Sequence, residues 1–260
     1  MLITETNNTT DTKIQDKNQE EVYAEIESMY RAGVHFGYSR SSSHPKMKPY
    51  FFGLRNNVQI FNLEKTYFCL GKAVEFAKGI GASNGKILFV ATKPEIRDAM
   101  ETVAREIGMP FVAERWLGGT LTNFEVFKKQ ISALKGLRDK KAKGDFAGLV
   151  KKEIMKIGKK IEKMEKYLEG LEILNEMPKA LLVIDPKKEK AAVLEARKLK
   201  IPVIAILNSD CNPVRIDYPI PGNDASESSV KLLLDKIASG LKEGVKEGAK
   251  APEPTAATNS

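Results

Sequence analysis

The side chains best placed to do chemistry are cations set among serines, glycines and aromatics. From Ser39 to Pro49 the chain reads Ser-Arg-Ser-Ser-Ser-His-Pro-Lys-Met-Lys-Pro. Tyr50-Phe51-Phe52 and Val58-Gln59-Ile60-Phe61 then flank Gly53-Leu54-Arg55-Asn56-Asn57. Lys46, Lys48 and Arg55 are suited to phosphates, and amides such as Asn56 to bases and 2′-hydroxyls. The flanking β-type runs predict a hairpin with a basic, polar tip. Phe51, Phe52 and Phe61 read as a small core beneath this loop rather than as base-stacking platforms. At Gly118-Gly119, ahead of a helix start, backbone N–H groups could cradle a phosphate. A tight turn over Trp116 explains the same spacing and is the reading preferred. Asp185, at the carboxyl end of an apolar run, stands where α/β enzymes place ligands, but helix capping accounts for it.

Much chemistry is excluded. No G-x-G-x-x-G follows a strand-like run, and there is no G-x-x-x-x-G-K-[ST], H-E-x-x-H or G-x-S-x-G. Thr92-Lys93-Pro94 lacks the glycines that let a backbone approach pyrophosphate. The only histidines are His35 and His44, and the only cysteines are Cys69 and Cys211, far apart. That suggests neither a disulfide framework nor a cysteine zinc site, and points to a reducing compartment. No apolar run approaches the roughly 20 residues of a membrane span, and the polar, acidic N-terminus lacks signal-peptide or transit character. A cytoplasmic protein is expected.

Charge is unevenly placed. The net charge is +8, with −5 in residues 1–27 and zero in 242–260, so residues 28–241 carry +13. A body that basic favours a polyanionic partner, nucleic acid first and an anionic membrane second.

The elements that must position these groups follow from apolar pattern. Lys86-Ile87-Leu88-Phe89-Val90-Ala91, Ala180–Ile184 and Pro202–Leu207 are apolar without alternation, as strands buried on both faces are. Phe111-Val112-Ala113 is a shorter strand. Helical patterns between them imply a parallel sheet of about five strands with helices on both faces. Residues 1–20 and 242–260 are expected to be disordered, with helix beginning near Glu21. Asn62 or Thr66 should cap a helix that Gly79, Gly81 and Gly85 break. Pro94 should open another at N1, Asp185-Pro186 a third, and Thr122 to Glu125 has capping-box spacing.

Residues 124–177 read as an insertion into an α/β domain of 21–123 and 178–241. Val150, Ile154, Ile157, Ile161, Met164, Leu168 and Leu171 alternate steps of four and three, as in a coiled coil. With Phe124, Phe127, Ile131 and Leu134 they predict an antiparallel helical hairpin closed on itself, from which residues 128–174 could be removed without unfolding the sheet.

Read together and in order, Ala32-Gly33-Val34-His35-Phe36-Gly37, Pro45-Lys46-Met47-Lys48-Pro49-Tyr50, Phe52-Gly53-Leu54-Arg55-Asn56, Asn62-Leu63-Glu64-Lys65-Thr66, Gly85–Val90, Arg115-Trp116-Leu117-Gly118-Gly119 and Ile220-Pro221-Gly222-Asn223-Asp224 resemble the bacterial-type family of small-subunit ribosomal protein two. The resemblance implies a flavodoxin-like three-layer α/β domain with a protruding coiled-coil hairpin. It also implies a structural, non-enzymatic role in the small ribosomal subunit. The partners implied are ribosomal RNA and neighbouring proteins, including ribosomal protein one. The candidate RNA-binding residues are Arg40, Lys46, Lys48, Arg55, Asn56, Lys93, Arg97 and Arg115. Tyr38 stands where the family carries a histidine, and the loop after the last apolar strand reads Asn208-Ser209-Asp210-Cys211-Asn212 where the family is often aspartate-rich. Neither change adds negative charge near neutral pH, so no metal and no cofactor is expected. Two rivals remain: an enzyme holding a phosphorylated small molecule at Gly118-Gly119, and a protein-interaction scaffold built on the coiled coil.

Overall fold

The computed structural model describes residues 7–144 and 150–249, with side chains from Gln19 onward. In chain order the elements are α1 (Asn7–Arg31), β1 (Phe36–Ser39), β2 (Phe51–Arg55), β3 (Val58–Phe61), α2 (Leu63–Ala82), β4 (Ile87–Val90), α3 (Pro94–Glu106), β5 (Phe111–Val112), α4 (Phe124–Lys143), α5 (Lys151–Leu168), β6 (Ala180–Ile184), α6 (Lys190–Lys198), β7 (Val203–Leu207), β8 (Tyr218–Pro221) and α7 (Glu227–Gly248). Short 3-10 turns at Arg40–Ser42 and Pro45–Tyr50 join β1 to β2.

Five strands form a parallel sheet in the order β5-β4-β6-β7-β8. Every residue of β4, β6 and β7 is buried, because their alternate side chains enter different cores. Phe89, Leu182, Ile204 and Ile206 face α2, α3 and α7. Leu88, Val90, Leu181, Val183 and Ala205 face α4, α5 and α6. A strand covered on both sides has no polar face to show, hence the unbroken apolar runs. The chain passes from β4 to β5 on one side and to β6 on the other, so the carboxyl ends of β4 and β6 flank a topological switch point.

The fifth strand, β8, lies outside the apolar runs expected as strands, and Pro219 and Pro221 within it argue against a strand. Its place at the edge removes the objection. Gly222 donates to Leu207 O at 3.0 Å, and Tyr218 and Ile220 share its phase. The two prolines therefore turn toward the open edge, where no N–H is required. β1 is likewise absent from the expected strands. It pairs with β3 in a separate antiparallel sheet of order β1-β3-β2. Asn56 and Asn57, both left-handed with φ of 49° and 63°, turn β2 into β3, the geometry of a primed two-residue hairpin.

Several helix ends differ from expectation. α1 begins at Asn7 rather than near Glu21, and α7 continues to Gly248. Residues 1–6 and 250–260 lie outside the described residues, as does most of the α4–α5 turn. α2 is capped by Asn62, whose Oδ1 accepts from Lys65 N–H at 3.2 Å, and it runs on through Gly79 and Gly81. The reason is close packing against α7. A Cβ on Gly81 would lie 2.4 Å from Leu241 O, and one on Gly244 2.0 Å from Lys78 O. α6 begins at Lys190, later than Asp185-Pro186 suggested, after a turn in which Asp185 Oδ1 accepts from the N–H groups of Lys187 and Lys188.

α4 and α5 pack as part of the sheet's second core rather than only on each other. Phe127, Ile131, Leu134, Ile161 and Leu168 are buried in the cluster that holds Leu88 and Val183. Burial along the expected seam is graded: Ile161 is 1% exposed, Ile154 40% and Val150 68%. Arg138 bridges the helices through Glu165 at 2.7 Å. A seam sealed over three heptads is therefore not observed. Removal of residues 128–174 would take Ile131, Leu134, Ile161 and Leu168 out of the core they share with Leu88 and Val183.

Candidate nucleic-acid interface

Alternation of type places the loop cations outward. Met47 is fully buried beside Phe61 and Leu207, which pins the 3-10 turn and leaves Lys46 and Lys48 exposed on either side of it. Arg40 donates its backbone N–H to Asn57 O at 3.0 Å, and Arg55 pairs in register with Val58. Arg40, Arg55, Asn56 and Asn57 therefore gather at the hairpin tip. Lys46 and Lys48 sit toward its base, about 17 Å away by the length of a five-residue strand. Among the described residues Arg40, Lys46, Lys48 and Arg55 form no ion pair.

The small aromatic core expected here holds only in part. Phe61 is buried and stacks at a tilt on Phe51, ring centroids 5.4 Å apart. Phe52 is 80% exposed. The register shifts between Phe51 and Gly53, and this bulge leaves Phe52 without a cross-strand partner. Leu54 is also exposed. The hairpin thus presents an aromatic ring and a leucine among cations.

Lys93 departs most from its expected role. Its ammonium lies at the switch point, 2.6 Å from Asp185 and 2.9 Å from Asp224, with its side chain 14% exposed. Burial works against that charge, but the two carboxylates outweigh it and raise the pKa. Asp224 is fully buried, and it also accepts from Tyr38 Oη at 3.0 Å and Asn208 Nδ2 at 2.9 Å. Burial, then the Asp224 charge, pushes the Tyr38 phenol up to about 12. Cys211, buried nearby, has its thiol pushed up by burial first and then by the charges of Asp210, Asp185 and Asp224, so it stays protonated. Lys93 is thus an internal cation that ties the three-stranded sheet to the crevice. His35 is also buried, stacked on Tyr30 with centroids 4.4 Å apart, and burial lowers its pKa. Among the described residues no group of three His, Cys, Asp or Glu is placed to hold a metal.

The Gly118-Gly119 turn does bind an anion, and the anion is the chain's own. Glu195, on α6, accepts from Gly119 N–H at 2.8 Å, Leu121 N–H at 3.0 Å, Thr122 N–H at 3.1 Å and Trp116 Nε1 at 3.0 Å. Burial raises the carboxyl, yet these donors outweigh burial and hold it below its usual value. The cradle is filled, which removes the geometric basis of the phosphorylated-ligand rival. Thr122 Oγ1 joins the same carboxylate, so the expected capping box is not made; α4 starts at Phe124 after Asn123 with no side-chain cap. Arg115 stays exposed beside this turn. Arg97 is drawn to Asp98 and Glu114 at 3.2 and 3.0 Å. Neither is brought to the hairpin.

Glu195 and the roles of Asp224 and Tyr38 were not visible in the sequence because each acts on a partner distant in the chain. Phe52 was misjudged because a bulge leaves no mark on residue alternation. The candidate set therefore divides into an exposed group on and around the hairpin, an isolated Arg115, and the internally paired Lys93 and Arg97. Residues 29–244, most of the chain, match the family described as ribosomal protein S2. The chain belongs to the ribosomal protein S2 family, structural constituents of the small ribosomal subunit in the cytoplasm.

Proposed function

We propose that this protein holds small-subunit ribosomal RNA with Arg40, Lys46, Lys48, Arg55 and Asn56. One observation carries the reading: four cations stand exposed and unpaired, among the described residues, on a backbone fixed by Met47 beneath them and by Tyr38 at the crevice. Cations without internal partners lose little on meeting phosphates, and a rigid backbone limits the entropy lost. Phe52 adds a stacking surface for an unpaired base, the mode by which proteins read single-stranded RNA. Arg115 supplies a separate phosphate contact. Lys93 and Arg97 leave the contact set, since Lys93 is buried between Asp185 and Asp224 and Arg97 is paired at the surface with Asp98 and Glu114; Lys93 supports the surface from within.

A second contact is proposed for α4 and α5, paired as an antiparallel hairpin. Val150, Ile154 and Met155 are exposed at the start of α5. An apolar end on an otherwise charged helix favours a neighbouring protein, and by family resemblance ribosomal protein one is the candidate. Co-sedimentation with small subunits tests both parts. RNA-mediated attachment should weaken steeply between low and high salt, whereas attachment that ignores salt would assign the work to protein contacts. Loss of ribosomal protein one from subunits carrying an Ile154→Asp variant would support the second contact; its full retention would refute it.

A further inference from the structure

A cavity of about 370 Å³ opens between the start of α6 and the loop after β7. That volume falls in the lower part of the range of small-ligand sites, about 300–1,000 Å³. Its floor is apolar, from Val193 and Ile216, with Leu194 on its exposed side, and its rim carries Lys190 and Arg215. Both cations are exposed and form no ion pair among the described residues. Lys187, also on the rim, is neutralised by Asp210 at 2.7 Å.

Asp210 also lines the cavity, its carboxylate turned to Lys187; the remaining polar groups donate. His44 Nδ1 accepts from Lys46 N–H at 3.2 Å, so the neutral imidazole keeps its proton on Nε2. Asn212 Oδ1 accepts from Val214 N–H at 3.1 Å, so its amide N–H groups are the free part. An apolar floor under donors and unpaired cations fits an occupant that is flat, rich in acceptors and anionic. A nucleotide has those properties, with the base against the floor and the phosphate at the rim. The site also continues the basic loop. His44 belongs to that loop, and its backbone N–H reaches across to Ser209 O at 2.8 Å.

We propose that this cavity takes one unstacked nucleotide of the small-subunit ribosomal RNA, an inference that rests on the RNA interface proposed above. RNA recognition by proteins is directed at such splayed bases. Lys190 and Arg215 hold the phosphate; His44 Nε2–H and the Asn212 amide meet acceptors on the base edge.

The test fills the cavity from its exposed side with Leu194→Trp and probes the bound ribosomal RNA with base-reactive reagents. One unpaired base should be protected by the wild type and reactive with the variant, while backbone protection from the hairpin persists. Affinity should fall about tenfold, equal to about 1.4 kcal/mol, with an unchanged salt slope because the base alone is expelled and the phosphate stays at the rim with Lys190 and Arg215. Arg215→Gln, a rim change outside the packed core, should lower the salt slope by about one unit. If no base changes reactivity and the Leu194→Trp variant binds as the wild type does, the cavity proposal is overturned while the hairpin reading stands. If RNA binding is untouched but a neighbouring ribosomal protein is lost from subunits, the occupant is a protein side chain and the proposal is overturned. If the wild type gives no hairpin protection at all, the underlying RNA reading fails first.

Discussion

Lys93 and Asp224 stand 131 residues apart in the chain, and the ammonium of one lies 2.9 Å from the carboxylate of the other. Asp185 closes on the same ammonium at 2.6 Å. Lys93 follows β4, Asp185 ends β6 and Asp224 precedes α7, so one cation joins three segments at the switch point. Tyr38 extends the network to the antiparallel sheet. The crevice that ligands occupy in many sheets of this type is here a structural joint.

Removing that cation leaves two carboxylates with little access to water. Lys93→Ala is expected to cost about 3–5 kcal/mol, the penalty of breaking a buried pair from one side. Urea denaturation measures it. The Lys93→Ala, Asp224→Asn double variant should be less unstable than the two single losses added together. Simple additivity would mean the pair is not energetically coupled.

Glu195 predicts an acid-side pH dependence. Its carboxyl is held below its usual value by four N–H donors that prevail over burial. A depressed acid stabilises the fold fully above its unfolded pKa, about 4.3, and loses that contribution as pH falls through the folded value. Glu195→Gln should therefore flatten the decline of stability below about pH 4.5. Glu195→Ala, which leaves N–H donors without their acceptor, should cost about 1–3 kcal/mol at neutral pH. Thermal melts between pH 3 and 7 are the check, and parallel curves for Glu195→Gln and wild type would contradict the assignment.

Where α2 meets α7, close approach depends on glycine. A Cβ at Gly244 would lie 2.0 Å from the Lys78 carbonyl oxygen, a backbone atom that cannot step aside. Gly244→Ala should separate the helices and destabilise the protein by about 1–3 kcal/mol, despite alanine's better helix propensity. Gly136 on α4 has open space around it, and Gly136→Ala should be neutral or stabilising. Paired melting curves decide between packing and propensity.

The graded seam of α5 makes a fourth stability prediction. Ile161→Asp puts a charge into the core shared with the sheet and should unfold or severely destabilise the protein. Ile154→Asp, on a residue already 40% exposed, should cost under about 1 kcal/mol. Equal effects would mean that the seam is sealed along its whole length.

The sequence was most legible where structure is governed by local rules. β4, β6 and β7 were readable because burial on both faces removes polar alternation, and the Asn56-Asn57 turn because few residue types accept its left-handed backbone. β8 was hidden by Pro219 and Pro221, whose tolerance depends on an edge position that only the assembled sheet reveals. Gly79 and Gly81 were expected to break α2, yet both lie within it, and Gly81 admits the close approach of α7. At the candidate interface, exposed Arg40, Lys46, Lys48 and Arg55 were recognisable from the absence of nearby acids. The internal role of Lys93 was not, because its counter-charges arrive from β6 and from the turn before α7. At Gly118-Gly119 a plain turn over Trp116 was the preferred expectation; its N–H groups in fact form an anion cradle, whose occupant comes from a helix some 75 residues on.

The central claim is that RNA is held by the exposed cations of the hairpin and its loop. The most direct measurement is the salt dependence of affinity for small-subunit ribosomal RNA, wild type against a Lys46→Gln, Lys48→Gln, Arg55→Gln variant. Each phosphate contact contributes close to one unit to the slope of log K against log salt. The account predicts a slope about three units shallower in the variant, with unchanged melting temperature because none of the three side chains is buried. A variant that binds with the wild-type slope and affinity would contradict it.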